Sequence, residues 1–306
     1  MIDSNLVSYL EELNFRNYSP KTLISYELDI SQFQEFLLLN KLALTLKDAN
    51  ARTSKFYLEY LIDKKLSPTT INRKISSLKN FYEYLYNSEI VKKNIFSSLK
   101  VLKTAKKLPN PLSDNELTNL FSSINTNSSL GIRNYLILDL LYSLGLRVSE
   151  LTSLTLKSIN YSRSEILIHG KGNKDRILFI YPELLKEISN YVSLTRVNLL
   201  SKSNNLDNEF LLLNRNGTKL SERGVQKILN SLVKSSNESY NIHPHQIRHS
   251  FATTLLNNGA KIKSIQEWLG HESISTTQIY TKVATKQLEE ELKNHLPKRE
   301  VQDEKI

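Results

Sequence analysis

The sequence predicts a mainly α protein in two parts. The first is an N-terminal four-helix domain. The second is a mixed, mostly helical domain with a small antiparallel β-sheet. Three observations carry this reading. Apolar residues recur at helical spacing through most of the chain. Two Ser-Pro pairs, Ser19-Pro20 and Ser67-Pro68, have the hydroxyl-then-proline pattern that opens a helix. Residues rich in β-formers gather in two short runs, Ile166 to His169 and Arg176 to Tyr181, on either side of Gly-Lys-Gly-Asn-Lys.

Taken in order, residues 3–15 place Leu6, Leu10 and Leu13 on one helical stripe. The helix begun at Ser19-Pro20 runs to about Lys41, and a third, from Arg52 to Lys65, carries Phe56, Tyr57, Tyr60 and Leu61. The fourth starts at Ser67-Pro68 and reaches about Tyr86. The aromatic positions of this half, among them Tyr26, Phe33, Phe36, Phe81 and Tyr84, follow the apolar faces and read as core. Residues 101–112 are basic and end in Pro-Asn-Pro, which biases the backbone to extended conformation and marks a linker. Ser113 to Glu116 has the capping-box pattern that opens the second domain. There, residues 129–144 form an apolar helix stopped by Gly145, the β-rich runs form a hairpin, and helices follow at 182–201 and 221–235. A last helix, about 285–294, precedes a polar tail, 297–306, expected to be disordered. The expected division is 1–100, a linker 101–112, a second domain 113–296, and the tail.

Composition narrows the function. The net charge of +10 favours a polyanionic partner. Between Lys64 and Lys107 there are 11 Lys or Arg against Glu83 and Glu89, and Lys64, Lys65, Arg73, Lys74 and Lys79 fall opposite or beside the Ile71, Ile75, Leu78 stripe. That is a candidate phosphate-binding face, extended by Lys103, Lys106 and Lys107 of the linker. The chain has no cysteine, which excludes disulfides, thiol catalysis and Cys-based zinc sites. No signal peptide is visible, and the longest apolar run, Tyr135 to Leu146, is interrupted by Asp139 and Ser143 and too short for a bilayer. A cytoplasmic protein without membrane contact is expected.

The stretch His243 to Thr281 is the most informative. It brings His245, Arg248, His271 and Tyr280 into one short segment, with Pro244 starting a helix and Gly259 ending it. His245 and Arg248 occupy adjacent turns of that helix, whereas His249 and Phe251 are expected to look inward. Cations that hold a phosphate, imidazoles that move a proton and a phenol that attacks suit phosphodiester cleavage by a side chain.

With these residues in place, the chain resembles the tyrosine recombinases, and within them the Xer type. The motifs that carry the resemblance are Gly145-Leu146-Arg147-Val148-Ser149-Glu150-Leu151, His169-Gly170-Lys171-Gly172-Asn173-Lys174-Asp175-Arg176, His245-x-x-Arg248-His249-Ser250-Phe251-Ala252-Thr253, Leu269-Gly270-His271 and Thr276-Thr277-Gln278-Ile279-Tyr280. They keep the family's order and spacing, and residues 5–292 fall within the resemblance. It implies that the N-terminal helices are a core-binding domain and the rest a catalytic domain. Arg147 and Arg248 would hold the scissile phosphate, and Lys171 would protonate the leaving 5′ oxygen. His245 and His271 would serve the phosphate and the phenol's proton, with Tyr280 as nucleophile and no metal or cofactor. Glu150 either orients Arg147 or caps its short helix. Lys282 stands where the family usually has His, outside the catalytic set.

The resemblance also implies double-stranded DNA as substrate and a tetramer on it, of this chain alone or with a paralogous recombinase, with residues 285–296 as the exchanged helix. Chromosome or plasmid dimer resolution, with a possible DNA translocase as activator, is the implied role, since the short N-terminus carries no further arm-binding domain. The rival readings are a phage or mobile-element integrase, a catalytically silent architectural DNA-binding protein, and a type IB topoisomerase. The complete set Arg147, Lys171, His245, Arg248, His271 and Tyr280 counts against the silent protein, and the four-helix domain and exchangeable tail count against the topoisomerase.

Overall fold

Both Ser-Pro pairs start helices for the expected reason. In the computed structural model the Ser19 hydroxyl accepts the Thr22 amide, the Ser67 hydroxyl accepts the Thr70 amide, and each proline occupies the first turn. The structure describes residues 3–103, 111–170, 175–236 and 242–270. The chain divides into two compact units, Met1–Lys107 and Leu108–Ile306.

The first unit contains α1 (Ser4–Phe15), α2 (Pro20–Leu39), α3 (Ala51–Asp63) and α4 (Pro68–Asn87). Its core is aromatic: Phe33 is fully buried and meets Tyr57 edge-on at 4.8 Å and Phe96 at 5.2 Å between ring centroids. The buried Tyr82 hydroxyl donates to the Leu46 carbonyl at 2.5 Å, which satisfies its polar end.

Where α2 meets α4, Asp29 is buried without solvent contact. It accepts Arg73 Nη2 at 2.9 Å, Lys74 Nζ at 3.1 Å and the Ser77 hydroxyl at 2.9 Å, with a second contact from Arg73 Nη1. Burying a carboxylate is tolerable only with such pairing. This corrects the expectation for Lys74. It does not lie on an open basic face but is 7% exposed, turned inward to Asp29 and Gln32.

The second unit is built round α6 (Ser129–Ser143), preceded by α5 (Asp114–Ser122) with the expected Ser113–Glu116 capping box. Leu136, Ile137, Leu138, Leu140 and Leu141 of α6 are all buried, so the second half of the helix is wrapped on every side. Around it lie α7 (Val148–Ser153), α8 (Pro182–Asn190), α9 (Arg196–Leu200), α10 (Glu222–Ser235) and α11 (Pro244–Asn257). The last described helix, α12 (Ile262–Leu269), packs on α11. The hairpin is β2 (Glu165–His169) and β3 (Asp175–Phe179), antiparallel, with Ile166 opposite Leu178 and His169 opposite Asp175. A two-residue strand, β1 (Ile159–Asn160), extends it to three strands in the order β1-β2-β3.

The expected helix over 182–201 contains a π turn at Tyr191–Thr195 between α8 and α9. There the buried Tyr191 hydroxyl accepts the Leu213 amide at 3.3 Å, a tertiary contact invisible to periodicity. Among the described residues no helix is long and apolar enough to cross a membrane.

The α2–α4 ion cluster has a measurable consequence. Asp29→Asn leaves Lys74 buried without its counter-charge and should cost about 3 kcal/mol of stability in urea unfolding. A change under about 0.5 kcal/mol, the size of an ordinary surface substitution, would contradict this account of the cluster.

Candidate active site

Two helix ends face each other in the second unit. The chain leaves α6 through Gly145, which has φ +60°, and Arg147 is the N-cap of α7 two residues later. A Cβ on Gly145 would fall 2.5 Å from Phe251 Cδ1 and 2.8 Å from Leu269 Cδ2, so both the backbone angle and the close packing require glycine. Opposite, α12 closes at Gly270, in the left-handed conformation with φ +64°.

The carbonyls at this end of α12 each take a different arginine. Arg176 Nε donates to Trp268 O at 2.9 Å, Arg248 Nη2 to Leu269 O at 2.6 Å, and Arg147 Nη2 to Gly270 O at 2.9 Å. Carbonyls at a helix C-terminus lack intrahelical partners and carry partial negative charge, so cations are favoured there. Arg248 Nη1 reaches across to Gly145 O at 2.6 Å and so joins the two helix ends. Trp268 does the same from its indole, donating to Leu144 O at 3.1 Å.

Glu150 is the acid among these cations. Its carboxylate accepts Arg176 Nη1 and Nη2 at 2.9 and 2.8 Å, Arg147 Nη1 at 2.7 Å and the Arg147 amide at 2.9 Å. The two alternatives for Glu150 are therefore both realised: it caps α7 and pairs with the Arg147 guanidinium. Burial pushes its carboxyl up, but the bonds from Arg176 and Arg147 outweigh that and bring it down to about 2. Burial and the neighbouring Arg147 charge push the Arg248 guanidinium down to about 10, which leaves it charged at neutral pH. Arg147 keeps 30% of its side chain exposed, against 7% for Arg248 and 8% for Arg176.

Of the expected site residues, Arg147 and Arg248 are thus brought together on one backbone feature. His245 sits in the first turn of α11 and is exposed. Its neighbour Phe251 is buried as expected, but His249 is exposed, which corrects its inward assignment: the inward face of α11 is filled by Ile247, Arg248, Ser250 and Phe251. Lys171, in the connection between β2 and β3, and His271 and Tyr280 lie outside the described residues, as do Lys106, Lys107, the exchanged helix 285–296 and the tail. The neck of the hairpin is closed by His169 Nδ1 and Asp175 Oδ2 at 2.9 Å.

In the first unit Lys64, Lys65, Arg73, Lys79 and Lys103 are exposed. Lys64 lies over the Tyr60 ring, 5.4 Å from its centroid. Arg73 lines an open groove of about 370 Å³ between α2 and α4, with Lys21, Thr22, Ser25, Tyr26 and Ser76. Among the described residues no three His, Asp or Glu side chains are gathered as a metal site.

Sequence reasoning gave Arg176 no role. A signal was present in the strand alternation: Arg176 shares the inward parity of Leu178, and an arginine at an inward strand position needs a buried acid.

The pH dependence of Glu150 is testable. Its carboxyl lies below the ordinary value when folded, so it stabilises the fold above the ordinary carboxylate range and loses that contribution as pH falls from about 5 towards 2. Thermal melts should show wild type more stable than Glu150→Gln near neutrality, with the gap closing over that acid range. A gap independent of pH would contradict the ionised cluster.

Comparison with known proteins agrees with this architecture. The model of the phage integrase family matches residues 110–287, and that of the phage integrase N-terminal SAM-like domain matches residues 6–89. The tyrosine recombinase XerC of Lactobacillus leichmannii is 38% identical over 298 residues, covering 97% of this chain and 99% of the relative. That of Bacillus pumilus is 36% identical over 283 residues, with 92% of each covered. Among solved structures, XerH site-specific recombinase bound to palindromic difH substrate, a post-cleavage complex, superposes with a TM-score of 0.68 at 24% identity, over 92% of this chain and 83% of that one. The Tn1549 transposon integrase in complex with a circular intermediate DNA gives 0.65 at 21% identity, over 94% and 99%. These structural likenesses show the fold, while the family match and the XerC identities go further: the chain belongs to the phage integrase family and is a tyrosine-type site-specific DNA recombinase.

Proposed function

We propose that the enzyme cuts and rejoins two DNA duplexes through a 3′-phosphotyrosyl intermediate and a four-way junction, in the service of chromosome or plasmid dimer resolution. The observation that supports this most is the set of carbonyls at the end of α12 holding Arg147 and Arg248 beside the segment that leads to His271. Three guanidiniums and one carboxylate give this cluster a net charge of +2. A phosphodiester carries one negative charge, and the pentacoordinate transition state carries a second. The cluster therefore matches the transition state better than the ground state, which is the condition for rate acceleration.

In this reading Tyr280 attacks phosphorus in line with the 5′ oxygen. The bond from phosphorus to the 5′ oxygen breaks, Lys171 protonates that oxygen, and the phosphate stays on the 3′ end as a tyrosyl ester. The imidazoles of His245 and His271 bond the phosphate and take the phenol's proton between them. Imidazole suits both tasks because its ordinary pKa lies near neutrality. Since the tyrosyl ester conserves the phosphodiester's energy, attack by a 5′ hydroxyl of the partner duplex rejoins the strands without a cofactor. The N-terminal helical unit, 1–100, holds the duplex through Lys64, Lys65, Arg73 and Lys79, with Lys103, Lys106 and Lys107 of the linker. A tetramer on two recombination sites supplies the four active sites that two strand exchanges require, from this chain alone or with a paralogue. The dimer-resolution role rests on the XerC relatives, whose full length the chain matches, and implies action on DNA in the cytoplasm. A DNA translocase is a candidate activator.

A nicked suicide duplex, which loses its 5′-hydroxyl fragment after cleavage, should trap the wild-type chain on a 3′ DNA end, with or without EDTA. Tyr280→Phe should form no adduct. Adduct formation by Tyr280→Phe, or dependence on a divalent cation, would overturn the mechanism.

A further inference from the structure

Arg176 takes no part in the chemistry just described, yet it makes more bonds within the cluster than an ordinary surface cation. It stands on β3 at an inward position, while its neighbours Asp175 and Ile177 face solvent. All three nitrogens of its guanidinium are engaged: Nη1 and Nη2 on the two Glu150 oxygens and Nε on Trp268 O. Among the described residues, Arg147 and Arg248 donate from their side chains through Nη1 and Nη2. With all three of its guanidinium nitrogens engaged, two of them by a carboxylate, Arg176 is badly placed to meet a phosphate itself.

What it contacts is more telling. The carboxylate it grips also binds the Arg147 guanidinium and amide. The carbonyl it takes is two residues before Gly270, whose own carbonyl binds Arg147. A Cβ on Gly270 would come within 3.3 Å of Arg176 Nη1, so the turn at the end of α12 is fitted closely against this side chain. Its strand is also one arm of the hairpin whose connection carries Lys171.

We propose that Arg176 is a positioning residue for recombination: it fixes the Glu150 carboxylate in the orientation that aims Arg147. Stability alone is a weak reason to keep such a pair, because buried ion pairs are often replaceable by apolar residues without loss. A planar fork that sets the direction of a carboxylate has no such substitute, and lysine, a point charge on a flexible stem, does not reproduce it.

The inference rests on Arg147 as a phosphate-binding group, and the test separates the two. The full-length chain, as wild type, Arg176→Lys, Arg176→Met, Glu150→Gln and the double variant Arg176→Met with Glu150→Gln, is given the nicked suicide duplex at saturation. Adduct formation is followed in a single turnover, with duplex affinity and the fraction folded measured alongside. If wild type forms no adduct, the proposed function fails. If it does, Arg176→Lys should slow adduct formation per folded molecule by roughly 10²-fold, the usual cost of a misplaced reacting group, while duplex affinity stays within a few-fold of wild type. The double variant should be no slower than Glu150→Gln alone, since Arg176 acts through Glu150. An Arg176→Lys rate per folded molecule equal to wild type, or effects of Arg176→Met and Glu150→Gln that multiply, would overturn the proposal. If Arg176→Met does not fold, the Arg176→Lys rate decides the matter.

Discussion

Three consecutive carbonyls at the C-terminal end of one short helix, each bound by a different guanidinium, are the constraint on which the second unit depends. Gathering Arg147, Arg176 and Arg248 around a single carboxylate would be unfavourable in an apolar interior, because the cations repel each other and lose hydration. The end of α12 offsets this with unpartnered carbonyls and the negative pole of the helix, and Glu150 supplies the balancing charge. The same contacts leave each guanidinium little freedom to rotate. A phosphate entering such a site meets donors that are already oriented, so less ordering is left to do in the transition state.

Everything around the cluster serves to bring distant segments to it. Helix α6, wrapped on all sides along its second half, is the central axis, and the chain turns at Gly145 against Phe251 and Leu269 with no room for a side chain. That turn delivers Arg147 to the start of α7 and exposes the Gly145 carbonyl to Arg248 on α11. The Trp268 indole, bound to Leu144, locks the two helix ends together from the other side. The proposed chemistry would thus draw on α7, α11 and the end of α12, which are held in register largely through backbone carbonyls.

Much of this was legible in the sequence, because capping and hydrophobic period are local. Ser19-Pro20, Ser67-Pro68, Ser113 to Glu116 and the hairpin around Gly172 announced themselves by residue type and spacing. What was not legible depends on partners far along the chain. The inward turn of Lys74 is dictated by Asp29, forty-five positions away on another helix, and helical periodicity alone assigned it to the surface. The outward His249 follows from how completely its neighbours fill the inner face of α11. The π turn after α8 holds Tyr191, whose hydroxyl accepts the amide of Leu213 from a segment twenty-two positions on. For the candidate site, the motifs singled out Arg147 and Arg248, but the backbone carbonyls that hold them carry no residue signature at all.

The central claim is that the held arginines act on the charge of the scissile phosphate, and it can be tested on the substrate. Replacing one non-bridging oxygen by methyl removes the charge that Arg248 would meet on this account. On an ordinary suicide duplex Arg248→Ala should lose roughly 10²- to 10³-fold in single-turnover cleavage, the cost of a lost oxyanion donor. On the methylphosphonate duplex wild type and Arg248→Ala should cleave at similar rates. An equal penalty on both duplexes would show that the guanidinium serves the fold and not the phosphate.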